Sequence, residues 1–119
     1  MSNIEDNSIG GYFSWELPND GGHFPNDGGM LVNSGHGALE MINDSLGDMW
    51  KVLIPYYTCD IVPCTLRRCG VEYEFYHINA ELEIATLPDL AVGEYLIYTN
   101  YFGIKDRHVA ELAERYGGK

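Results

Sequence analysis

Three observations predict an α/β fold, a mostly parallel sheet with helical crossovers. Apolar or β-branched runs alternate with stretches of helical period, those stretches are long enough to serve as right-handed crossovers, and glycine and proline mark their ends. The chain has 119 residues, 45% of them hydrophobic and 13% aromatic, enough for one domain with a single buried core.

The elements follow in order. Residues 1–29 read as a Gly/Asp-rich N-terminal arm with turns, including the tandem Pro18-Asn19-Asp20-Gly21-Gly22 and Pro25-Asn26-Asp27-Gly28-Gly29. Residues 30–119 read as the α/β portion. Met30-Leu31-Val32 is a short apolar run that predicts a first strand. After Asn33-Ser34-Gly35-His36-Gly37, the residues Ala38, Leu39, Met41, Ile42 and Leu46 recur at helical spacing up to Gly47. Trp50 to Ile54 predicts a buried strand stopped by Pro55. Ile61, Val62, Leu66 and Cys69 mark a helix ending at Gly70, with Pro63 in its first turn and Asp60 as its expected cap. Val71 to Ile78 alternates aromatic and β-branched residues with acids and predicts a third strand, and Glu94 to Thr99 predicts a fourth. A last helix, capped by Asp106, carries the stripe Val109, Leu112, Ala113 and Tyr116 and stops at Gly117.

Charge excludes several partners. Seven Lys and Arg against 18 Asp and Glu give a net charge of −11, a surface that repels phosphate backbones and anionic lipid. Nucleic acid and membrane partners are not expected. Without a basic, apolar leader at Met1 to Asp6 or a long apolar run, the chain reads as cytoplasmic. Cys59, Cys64 and Cys69 lack paired metal-ligand spacing and read as reduced thiols, so no metal is expected. From Met1 to Trp50 there is no Lys or Arg, so an anion bound by that half must be held by backbone.

In a parallel sheet ligands bind beyond the carboxyl ends of the strands. Those places are Asn33 to Gly37, Pro55 to Thr58 and Asn100 to Gly103. Ser34-Gly35-His36-Gly37 opens a helix, where free N–H groups and the positive dipole end favour an anion such as phosphate. The same residues serve equally as an ordinary helix cap. The turn is neither a Walker loop nor a G-x-G-x-x-G fingerprint.

Val32-Asn33-Ser34-Gly35-His36-Gly37-Ala38-Leu39, Ile54-Pro55-Tyr56-Tyr57-Thr58, Tyr98-Thr99-Asn100-Tyr101-Phe102-Gly103 and the ending Ala113-Glu114-Arg115-Tyr116-Gly117 together resemble the DegT/StrS-type sugar aminotransferases. Ile9-Gly10-Gly11-Tyr12-Phe13 resembles the N-terminal arm of some members. The resemblance implies a partial large domain of the pyridoxal-phosphate fold type I, aspartate aminotransferase-like, acting on an amino donor and a keto-sugar as a homodimer. It also implies that Ser34, Gly35, His36 and Gly37 hold the cofactor phosphate and that Tyr57, Thr58, Cys59 and Asn100 belong to the cofactor site.

Four departures accompany it. His36 replaces the usual Thr, where a protonated imidazole can serve instead of the hydroxyl. Gly37 loosens the turn. Cys59 falls where relatives often carry the stacking aromatic, leaving that duty to Tyr57 or Tyr56, and Asn100 falls at the family's His. The Asp that pairs with the pyridine nitrogen and the Schiff-base Lys come later in the family's chains than Lys119, so the chain is expected to be an N-terminal part, inactive alone. Lys51, Lys105 and Lys119 are expected to be solvated and unsuited to replace that Lys. A hydrolase built on Cys59 and a histidine has no local signature. The alternative is a non-catalytic α/β module that binds a phosphorylated small molecule or a protein partner.

Overall fold

The computed structural model describes residues 28–47 and 50–117. The tandem turns up to Asp27, the Ile9 to Phe13 arm and Lys119 lie outside them. The unit Val32–Lys119 carries every element described. These are α1 (Gly35–Leu46), β1 (Lys51–Pro55), α2 (Ile61–Arg68), β2 (Glu72–Tyr76), β3 (Glu94–Leu96), a 3₁₀ turn at Tyr101–Gly103, and α3 (Asp106–Tyr116). The three strands form one parallel sheet in the order β2-β1-β3, with Val52 level with Tyr73 on one side and Tyr95 on the other. The fold is α/β.

Strand alternation divides the core into two layers. Val52 and Ile54, both fully buried, meet Leu66 and Val71, and this cluster is extended by Leu39 of α1, Val62 and Cys69 near α2, and Tyr73, Phe75, Tyr95 and Ile97 of the sheet. On the other face Leu53, Tyr76, Leu96 and Tyr98 meet Leu112 and Tyr116 of α3, with Ile78 and Ile84 from the loop after β2. Helices therefore cover both faces. The β2-to-β3 connection, residues 77–93, contains no helix and is tied by an antiparallel bridge between Ile78 and Ile84.

Four expectations are corrected. Met30-Leu31-Val32 forms no strand: all three side chains are exposed, Leu31 almost fully, so no buried face enforces an extended, paired run. Asp60 precedes α2, but its backbone is already helical and its side chain makes no capping bond. Asp106 is the first residue of α3 instead of its cap, because its carboxylate is taken by the Asn100 amide at 2.7 Å. Lys51 and Lys105 are not solvated. Lys51 Nζ lies 2.7 Å from Glu74 and 3.6 Å from Glu94, and Lys105 Nζ is bonded to Glu83.

Among the described residues no helix is long and apolar enough to cross a membrane. Cys59, Cys64 and Cys69 are free thiols.

Candidate functional site

The Ser34 turn is built by a side-chain cap. Ser34 is extended, its hydroxyl accepts the Gly37 N–H at 3.2 Å, and the Ala38 N–H bonds to its carbonyl at 3.1 Å. Ser34 Oγ also donates to Asn33 Oδ1 at 3.3 Å. A Cβ at position 37 would press on Asn33 Oδ1 and Ser34 Oγ at 3.3 Å, so glycine lets this cap close. A Cβ at Gly35 would meet nothing within 4 Å among the described residues, so packing does not require glycine there. The Gly35 and His36 N–H groups find no acceptor among the described residues, as expected for the first turn of a helix. Arg68 of α2 is paired with Glu40 of α1 at 3.1 Å.

The second and third turns meet. Tyr57 and Tyr101 stack with ring centroids 5.3 Å apart and planes 9° from parallel, and the Tyr101 hydroxyl donates to the Tyr57 carbonyl at 2.7 Å. Tyr101 is buried, and burial raises its phenol above the ordinary range, so it stays a donor at neutral pH. Around this pair opens a groove of about 500 Å³, lined by Tyr57, Thr58, Cys59, Val62, Thr99, Tyr101 and Phe102. The lining includes no Lys, Arg, His, Asp or Glu. The groove therefore suits a neutral, flat group with a few polar edges, and charge would have to be met elsewhere.

Of the sequence-predicted residues, Tyr57, Thr58 and Cys59 come together in this groove. Ser34, Gly35, His36 and Gly37 form the α1 turn and do not line it. Asn100 is spent internally: its amide donates to Asp106 and its carbonyl oxygen accepts the Lys105 N–H at 2.8 Å. Of the two tyrosines, Tyr57 lines the groove, whereas Tyr56 stacks on Phe75 and lies tilted against His77, each with ring centroids 4.7 Å away. Thr99, Tyr101 and Phe102 join Tyr57, Thr58 and Cys59 from the Tyr98-to-Gly103 run, and Val62 joins from α2, four lining residues to which the sequence assigns no cofactor contact. His108 is structural: buried, it accepts the Ile84 N–H at 3.4 Å and meets Tyr98 edge-on.

A second cavity, about 340 Å³, lies on the opposite face between β3 and α3, lined by Leu96, Tyr98, Asn100, Val109, Leu112, Ala113 and Tyr116. It has no acid, base or thiol and reads as the seam left by α3 packing. Comparison of the chain with models of protein families, with curated proteins and with solved structures finds no match.

Proposed function

We propose that this chain carries the phosphate turn and ring-binding wall of a pyridoxal-phosphate-dependent aminotransferase of the sugar type, within a fold type I large domain that works as a homodimer. The observation that carries the reading is the groove where the turns after β1 and β3 converge: uncharged, aromatic, and at the carboxyl ends of parallel strands. In this reading the cofactor is held in two parts. Tyr57, Thr58 and Cys59 would hold the ring, and the Gly35 and His36 amides beside the Ser34 cap would hold the phosphate. When bound, the cofactor supplies the electron sink by which an amino group passes from a donor to a keto-sugar.

In this reading neither Lys51 nor Lys105 supplies the reactive amine. The hydrogen bond that Lys51 donates to Glu74, opposed by desolvation and helped by the charges of Glu74 and Glu94, raises the Lys51 pKa and keeps its ammonium charged, and Lys105 donates to Glu83. With no Lys or Arg in the first 50 residues, phosphate affinity rests on backbone, and millimolar binding, about −4 kcal/mol, is expected.

Titration of pyridoxal phosphate into the chain, followed by intrinsic fluorescence, tests this. Binding in the millimolar range, competed by inorganic phosphate and retained in His36→Thr, is expected, with no adduct fixed on Lys51 or Lys105 by borohydride. A stoichiometric adduct on either lysine, or no saturable binding, contradicts the reading.

A further inference from the structure

Phe102 is the groove residue that the fold does not explain. Its backbone is left-handed, φ 56 and ψ 13, a conformation costly for a bulky side chain, and its ring is 79% exposed. Leu82, the other non-glycine residue with positive φ among those described, provides the contrast. Its side chain is half-buried and its carbonyl accepts the Tyr98 hydroxyl at 2.5 Å, so its strain is offset by contacts within the chain. Phe102 combines backbone strain with an apolar ring left in water.

The surrounding turn fixes that conformation. Asn100 O accepts the Gly103 N–H at 3.1 Å and Tyr101 O accepts the Ile104 N–H at 3.2 Å. The Asn100 side chain bridges Lys105 N and Asp106, and the Tyr101 hydroxyl anchors the turn to Tyr57 O. Strain that persists because neighbouring bonds over-determine it is a mark of preorganised sites. A side chain on a backbone already fixed in place needs only its own rotamer ordered when a ligand packs on it.

We propose that Phe102 is a positioning residue, held in its strained conformation so that its ring, with Tyr57 and Tyr101, seats a planar aromatic ligand ring in the groove. This rests on the ring-binding part of the function proposed above. The uncharged lining selects a flat ring over a charged group, and aromatic faces favour an electron-poor one such as a substituted pyridine.

The test uses the full chain, its Phe102→Gly and Phe102→Tyr variants, and two probes, pyridoxal phosphate and phosphate-free pyridoxine. Glycine relieves the positive φ, so Phe102→Gly is expected to raise Tm by about 2 to 5 °C while weakening both probes about fivefold. Phe102→Tyr should restore wild-type affinity without the gain in Tm. A merely structural Phe102 would not move stability and binding in opposite directions. If pyridoxine perturbs the Tyr57 and Tyr101 ring signals, depends on Phe102 and binds as well as pyridoxal phosphate, the inference stands and the phosphate turn fails. If neither probe perturbs those rings, or if Phe102→Gly binds as tightly as wild type, the inference is overturned.

Discussion

Glu83 and Lys105 illustrate how single side chains tie the loop after β2 to the start of α3. The hydrogen bond from Lys105 holds the Glu83 carboxyl below its ordinary range, aided by the nearby Lys105 and Arg107 charges, while desolvation opposes it. A carboxyl whose folded pKa is depressed adds stability above its unfolded pKa, and that stability is lost as pH falls through the folded value. Wild type should therefore exceed Glu83→Gln in urea midpoint at about pH 7, and the gap should close by about pH 3. A gap independent of pH would show that the ion pair contributes only packing. Neither lysine's pairing was legible in the chain: Glu83 is distant from Lys105 in sequence, and Glu74 and Glu94 reach Lys51 only through strand register. Nor was the Tyr57–Tyr101 stack, whose partners are 44 residues apart.

At the scale of elements, periodicity carried most of the information. The Trp50 to Ile54 run, the alternation in Val71 to Ile78 and the stripe along Val109, Leu112 and Tyr116 correspond to β1, β2 and α3, because each pattern is enforced by a face that must be buried. Boundaries and the Met30 to Val32 run were not legible, because ladder partners and cap competition are set by tertiary neighbours such as Asn100. Two substitutions separate the local and packing contributions. Ser34→Ala removes one capping bond at an exposed helix end and should cost about 1 kcal/mol. Leu66→Ala empties a fully buried position between α2 and β1 and should cost about 2 to 5 kcal/mol. Denaturant unfolding of both variants measures the difference. Equal losses would mean that α1 is anchored by its cap and not by Leu39 and the sheet.

For the whole molecule, the sheet brings the ends of β1 and β3 together, and the first turn of α1 offers open amides of its own. All three turns were recognisable as turns from their Gly, Pro and aromatic residues. Which of them share a groove was not, since that depends on the strand order β2-β1-β3 and on the Tyr101 hydroxyl reaching Tyr57. The central claim is that this chain binds a phosphorylated aromatic ring with its phosphate on the α1 turn and its ring in the groove. The most direct measurement is residue-resolved NMR of the labelled chain during titration with pyridoxal phosphate. The account predicts that the largest shifts fall on the amides of Gly35, His36 and Gly37 and on Tyr57, Thr58, Cys59, Tyr101 and Phe102, with both groups saturating together. Shifts confined to Arg67 and Arg68, or two groups saturating at different concentrations, would contradict it.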